Sequence, residues 1–332
     1  MKLFSFFLLF TTTLLQAEPY IPNDEDVIAS SRSPLPATLS KYELATLFEQ
    51  NQWAGRTESN QGLLKNYLSE KIRQTDDPDI HYYYARLLQR EHKFELALAV
   101  LNDLLKNDPS HVNSILLKAN ILKVQGQFAA ANSSCLSLVG KASIETISTC
   151  SLDVKSQMGD LAKSYDGLKK IIKKRNISMN TRHVLAEMAY RLNMPEQTLQ
   201  YLNEVDLAKA PVSLVVLWAN AQLALGNNEK VLVTLSKLTA DESNLEDALL
   251  LRLAQAELNK EDSQLSEWQT LLKKRVTLRE LRQDTYHASD LAWYYLMINH
   301  DPTKATYWAN INWQHAKLES DKRLLELATK HN

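Results

Sequence analysis

The chain has 332 residues, 38 basic against 39 acidic, and contains only seven glycines and nine prolines. So near-neutral a balance gives no electrostatic reason to expect nucleic acid as a partner. Scarce helix breakers beside abundant Leu, Ala, Lys and Glu point to helix nearly throughout, and an all-helical chain of this length is often a stack of repeats.

The first segment reads MKLFSFFLLFTTTLLQAEPY: one positive charge at Lys2, an apolar run from Leu3 to Leu15, and a small residue, Ala17, at a cleavage point. These are the three regions of a secretory signal peptide over 1–17, and the apolar run is short for a membrane span. Nothing basic follows to hold it as an anchor, and no cysteine follows to support a lipoprotein. The expectation is export to the periplasm of a Gram-negative bacterium, an oxidising compartment, with no integral membrane span after cleavage. Residues 18–37 carry four prolines and no helical period, and read as an extended or disordered tail. Tyr20, Ile21, Val27 and Ile28 make it apolar enough to dock along the first helices or in a groove beyond them.

An irregular helical hairpin is expected over 38–77. Next comes HYYYARLLQREHKFELALAVLNDLLKNDP (81–109), which aligns with ILLKANILKVQGQFAAANSSCLSL (115–138) at a spacing of 34 residues. Ala85, His92, Phe94, Ala97 and Leu101 recur as Ala119, Gly126, Phe128, Ala131 and Cys135. A small residue, a turn position, an aromatic and a second small residue describe two antiparallel helices that approach closely. Pro109 closes the unit where a missing N–H does no harm.

This pattern resembles the tetratricopeptide repeat, with Pro78 at position 1, Ala85 at position 8, Ala97 at position 20 and Pro109 at position 32. His81 stands where the family places Trp. The register continues: position 8 reads Ala85, Ala119, Leu152, Ala186, Ala219 and Ala254, and position 20 reads Ala97, Ala131, Ser164, Thr198, Val231 and Ser266. Gly126, Gly159 and Gly226 take the turn at position 15. The resemblance covers 78–280, is strongest in the first two units, and implies an all-α, right-handed superhelical solenoid of about six repeats. Residues 281–332 read as a last helical pair and a capping helix, which gives a solenoid its polar end. A 35-residue repeat that reads RNA base by base is disfavoured by charge and compartment.

No catalytic or nucleotide-binding motif occurs: no GxSxG, HExxH, GxxxxGK[ST] or GxGxxG. The histidines, among them His81, His92, His111, His183 and His287, are scattered over different units, and Asp24, Glu25 and Asp26 lie in the tail, without a pocket to raise a pKa. The expectation is therefore no enzyme, no cofactor and no metal. The basic runs KKIIKKR (169–175) and LLKKRVTLRE (271–280) fall at the ends of second helices, where the dipole favours cations, with an anionic-polymer patch as the other reading. Trp293, Tyr294, Tyr295, Tyr307, Trp308 and Trp313 read first as core by their helical spacing, Trp293 with Leu296 and Tyr307 with Ile311.

In the family that the repeat resembles, first helices line a concave groove that holds a peptide segment through positions 2, 5, 9 and 12. Carried over, position 9 gives Arg86, Asn120, Asp153, Glu187, Asn220 and Gln255. Position 5 gives Tyr82, Leu116, Thr149, His183, Val216 and Leu251, and position 12 gives Gln89, Lys123, Ser156, Tyr190, Leu223 and Leu258. The groove is thus expected to become an exposed apolar strip toward its C-terminal half. Asn120 and Arg86 echo the family's carboxylate clamp, but Thr149, Asp153 and Ser156 replace its basic positions, so capture of a C-terminal carboxylate in that manner is not expected. In the same register Cys135 lies near the end of one helix and Cys150 near the start of its antiparallel neighbour, level with each other, and a disulfide is expected. The functional expectation is a non-catalytic scaffold or adaptor of the bacterial envelope that holds a peptide or protein in its groove. The alternative is an accessory subunit of envelope polymer assembly that grips glycan with basic and aromatic patches. Self-association through an exposed helix face is a further possibility.

Overall fold

The computed structural model describes residues 38–56, 61–172, 177–239, 245–260 and 267–330. The expected signal peptide and tail, 1–37, and residues 173–175 of the first basic run lie outside them. Local chemistry explains where the helices begin. Ser40 accepts from the Glu43 N–H while Glu43 accepts back, a capping box. Ser143 and Ser178 cap in the same sense, and Asp77 and Asp301 do so ahead of Pro78 and Pro302 at the first helical turn.

The N-terminal hairpin is α1 (Lys41–Gln50) and α2 (Gln61–Lys71). Six helical pairs follow: α3 (Pro78–Arg90) with α4 (Phe94–Asn107), α5 (Val112–Val124) with α6 (Phe128–Leu136), α7 (Ile144–Ser156) with α8 (Leu161–Ile171), α9 (Met179–Arg191) with α10 (Pro195–Leu202), α11 (Val212–Ala224) with α12 (Asn228–Leu238), and α13 (Asp247–Leu258) with α14 (Glu267–Leu281). A seventh pair, α15 (Ala288–Met297) and α16 (Pro302–His315), leads to a last helix, α17 (Glu319–Lys330). From α2 to α14, and again from α15 to α17, each helix packs on its chain neighbours, and first helices also pack on first helices one unit along, from α3 on α5 through to α13 on α15. That nearest-neighbour pattern defines an all-α helical-repeat solenoid.

The repeat register marks the tight places. Ala85, Ala119, Ala186, Ala219 and Ala254 at position 8 are at most 2% exposed, as are Ala97, Ala131, Ser164, Thr198 and Val231 at position 20, Ser266 lying outside the described residues. Thr198 tolerates burial because its hydroxyl donates to the Met194 carbonyl at 3.1 Å. In the third unit Leu152 replaces the small residue and packs against α8 at Gly167, where an added Cβ would meet a Leu152 methyl at an ordinary contact distance of 3.7 Å. The turns between paired helices are left-handed at His92, Gly126, Gly159, Asn193 and Gly226, with φ from 55° to 95°. Asn193 thus fills the glycine position of the fourth unit, as the residue type next best suited to it.

The ends of the solenoid return to its middle. The loop after α1 pairs Ala54 N–H with the Ala210 carbonyl, Val212 N–H with the Gln52 carbonyl, and Gly55 N–H with both oxygens of Glu246 at 3.1 Å. At Gly55, φ is +73° and a Cβ would come within 2.6 Å of the Leu238 carbonyl oxygen, so no other residue fits. At the far end the segment before α17 lies against the turns of the second, third and fourth units. His92 in the first unit stacks on Tyr286, ring centroids 5.2 Å apart.

This closure corrects one expectation. The apolar residues of the C-terminal groove positions do not form an exposed strip: Leu251 is 3% exposed, and Val216 and Leu223 pack partly buried against the large core of units five to seven. Only Leu258 stays open, at 41%. The charged positions there are consumed internally as well, Arg252 donating to Asn220 at 2.9 Å and pairing with Asp290 of α15. The aromatic cluster is mostly core, with Tyr294, Tyr295 and Trp308 buried and Trp293 and Trp313 half-buried, whereas Tyr307 is exposed. The second basic run spreads through the last two-thirds of α14 rather than sitting at its end. Its Arg275 and Arg279 close on the buried Asp247 at 3.0 and 2.9 Å, which leaves these two guanidiniums committed to the fold. No described helix is long and apolar enough to cross a membrane.

Candidate functional site

A cleft of about 160 Å³ lies between α5, α7 and α9. Its walls are Leu116, Ala119, Val154 and Val184 with Cys150, and its polar lining is Asn120, Lys123, Thr149, Asp153 and Asn180. Helical periodicity puts Leu116, Asn120 and Lys123 on one stripe of α5, and Thr149 and Asp153 on the facing stripe of α7.

Across the cleft Lys123 Nζ pairs with Asp153 Oδ2 at 2.6 Å, the two side chains only 11% and 14% exposed. Burial pulls the Lys123 ammonium pKa down, but the carboxylates of Asp153 and Glu187 outweigh it and hold the pKa above its ordinary value. His183 sits beside this group. Burial, aided by the Lys123 charge, lowers its pKa against the opposing pull of Glu187 and Asp153. Thr149 is tied to Thr181 at 3.0 Å, and Thr181 in turn donates to Glu145 at 2.7 Å. By contrast, the side-chain amides of Asn120 and Asn180 are exposed, and neither has a hydrogen-bond partner among the described residues.

The structure therefore gathers five of the groove positions read from the sequence, Leu116, Asn120, Lys123, Thr149 and Asp153, and sets His183 and Glu187 beside them. Others are separated from the cleft. Arg86 lies over the rings of Phe48 and Tyr82, 5.5 and 5.7 Å from their centroids, which binds it to the N-terminal hairpin, and Tyr82 meets His111 at the start of the second unit. Gln89 and Gln255 are half-buried outside the cleft, Asn220 accepts from Arg252, and Tyr190 is half-buried with burial raising its phenol pKa. Asn180 was missed by the sequence reading, although position 2 of the fourth unit in the same register leads to it. Asp153, read both as a groove position and as a departure from the carboxylate clamp, neutralises the lysine that lines the cleft.

Cys135 and Cys150 come together as a disulfide-capable pair, Cα atoms 5.5 Å apart, tying the end of α6 to α7 beside the cleft. Among the described residues no group of three or more His, Cys, Asp or Glu could hold a metal.

The histidines provide a test of these environments. Half-buried His183 has its pKa depressed below 6.5, so the stability it contributes is present above 6.5 and is lost as pH falls through the folded value. His287 goes the other way. Burial would lower its pKa, but the hydrogen bond and charge of Asp284 raise it above 6.5, and its contribution is present below 6.5 and lost as pH rises past the folded value. Its partner Asp284, which burial alone would raise, is brought down to about 2 by His287 and Arg279. In ¹³C-histidine NMR the His183 ring should titrate below 6.5 and the His287 ring above it, with the order inverting if the burial or the ion pair is misassigned.

Fold and cleft together define a helix–turn–helix repeat solenoid with its ends folded back and a polar-rimmed cleft between the first helices of units two to four. No family model matches the chain, and no curated protein does. The crystal structure of the P58(IPK) TPR domain is similar over 87% of this chain and 98% of its own length, at 14% identity and a TM-score of 0.26. A likeness so slight carries no argument, and the fold stands on the chain's own helices.

Proposed function

We propose that this chain is a non-catalytic protein-interaction scaffold of the bacterial cell envelope, taking an extended segment of a partner protein into the cleft between α5, α7 and α9. The observation that carries the reading is the pair of unpartnered amides, Asn120 and Asn180, on either side of an apolar slot. A side-chain amide presents a donor and an acceptor in one plane, matching the N–H and C=O of a peptide unit. The slot between Leu116, Val154 and Val184 has room for one apolar side chain of that segment. The leader-like N-terminus and the cysteine pair support an exported, oxidising location.

A displayed random-peptide library selected on the oxidised full chain tests this. Enriched peptides should bind with micromolar affinity and lose about tenfold, ~1.4 kcal/mol, to Asn120→Ala and to Asn180→Ala. Enrichment of peptides indifferent to both substitutions would place the binding surface elsewhere. The second reading, an accessory role in envelope glycan assembly, draws on Tyr307, 59% exposed at the aromatic end. Retention on purified peptidoglycan that Tyr307→Ala abolishes would move the conclusion to it.

A further inference from the structure

A second recognition surface lies on the turn edge of units two to four, and none of its residues lines the cleft. Between α16 and α17 the chain is extended at Ala316, with φ −126° and ψ 133°. The Lys317 N–H donates to the Val124 carbonyl at 2.8 Å. Its side chain passes over Gly126, where a Cβ would come within 2.8 Å of the Lys317 Cβ, and its ammonium turns back over the Trp313 ring and bonds the Trp313 carbonyl. Two residues on, the Glu319 N–H donates to Gln157 Oε1 at 3.0 Å, and the Glu319 carboxylate pairs with Arg191.

Arg191 is built to receive a carboxylate. Its guanidinium donates to Ser156 Oγ at 2.8 Å and to the Ser156 carbonyl at 2.7 Å, lies 4.0 Å from Glu187, and is only 11% exposed. Its Nε is buried and has no hydrogen-bond partner. Glu319 itself is half exposed, at 49%. The receptor is thus fixed by the fold, whereas its occupant is held by hydrogen bonds and one ion pair. The apolar side of α17, Leu324 and Ala328, packs instead into the C-terminal core with α15 and α16. Asp321 accepts from Asn312 and from the Leu318 N–H, so the start of α17 is secured within its own unit. Release of residues 316–319 from the turn edge leaves that unit's packing intact.

We propose that Val124, Gly126, Gln157 and Arg191 form a docking site for an extended, carboxylate-bearing peptide segment, and that residues 316–319 occupy it as an exchangeable internal ligand. The partner is an acidic segment of another protein, presenting two backbone N–H groups and a carboxylate in the spacing that Lys317 and Glu319 present now. While the internal segment is seated, the C-terminal end of the solenoid is held against units two to four. Its displacement couples binding at this edge to opening of the superhelix. A tethered segment acts at an effective concentration on the order of millimolar, so a site with a Kd of about 10 μM for the free segment is masked roughly a hundredfold in the intact chain.

The probe is a fluorescent peptide of this chain's own residues 314–323, QHAKLESDKR. In the full-length K317P/E319R variant the N–H is removed and the carboxylate reversed, which vacates the site. The peptide should bind this variant at least tenfold more tightly than the unaltered chain. Adding Arg191→Gln should abolish that gain, and a peptide carrying Ala in place of the glutamate should lose at least tenfold. Equal affinity for variant and unaltered chain, or indifference to Arg191, overturns the proposal. Hydrogen exchange on the unaltered chain is an independent measure that needs no variant to fold. The Lys317 and Glu319 amides should exchange at least a hundredfold faster than those around Leu324, and equal protection would show a permanently fixed segment instead.

Discussion

Reduction of the Cys135–Cys150 pair, or its replacement by C135S/C150S, should cost about 3 kcal/mol, the chain-entropy value for a loop of about 15 residues. The loss should appear first in α7. The reason is the composition of that helix's buried face: Ser148, Thr149, Ser151 and Ser156 are each at most 9% exposed, and Val154 is the one aliphatic side chain among its buried residues. Small hydroxyl residues release little apolar surface from water. What holds α7 is polar and covalent: Ser151 donates to Asn132 at 2.7 Å, Thr149 meets Thr181, Ser156 receives Arg191, and Cys150 reaches Cys135. In a solenoid each unit is stabilised by its neighbours, so a weakened α7 divides the array into two blocks. Hydrogen exchange should show residues 144–156 losing protection under reductant before the helices on either side. Uniform loss of protection along the chain would mean that the staple acts on the unfolded state alone.

Lys123→Met should be nearly as costly, about 3 kcal/mol in urea unfolding, because it leaves the Asp153 carboxylate facing the cleft without its cation. The pair is 2.6 Å apart, and Lys123 as a whole residue is only 9% exposed. The double variant K123M/D153L should recover most of the loss, since neutral side chains of similar volume remove both charges from a poorly solvated site. Far smaller loss from the single variant would mean that water reaches the pair freely. The double variant also separates the two surfaces. It alters the floor of the cleft and leaves Arg191 and Gln157 in place, so it should change selection of peptides by the cleft without changing the affinity of QHAKLESDKR for the released turn edge.

The helices and their pairing were legible because they depend on neighbours in sequence. A small residue at Ala85 and another at Ala97 belong to one hairpin, and the 34-residue recurrence repeats that hairpin's packing. The cysteine pair was legible for the same reason, its partners lying on adjacent antiparallel helices 15 residues apart. The groove was legible as a stripe, so Leu116, Asn120 and Lys123 were found. Whether each position in the stripe stays open was not. Arg86 is capped by the α1 hairpin, and Arg252 is drawn to Asp290, by contacts that a repeat register does not encode.

By itself the sequence determined an all-α solenoid, the register of its hairpins and the cysteine pair that bridges the second and third units. Only the tertiary structure decided which groove positions line the cleft between α5, α7 and α9 and that the two ends return to the middle. The contacts responsible join Gly55 to Glu246, Gln157 to Glu319 and Arg191 to Glu319, with separations of 191, 162 and 128 residues. Each is made once, between unlike elements, through a backbone amide or a single ion pair. Periodicity reports what recurs, and an interaction made once across a superhelical turn has no recurrence to read.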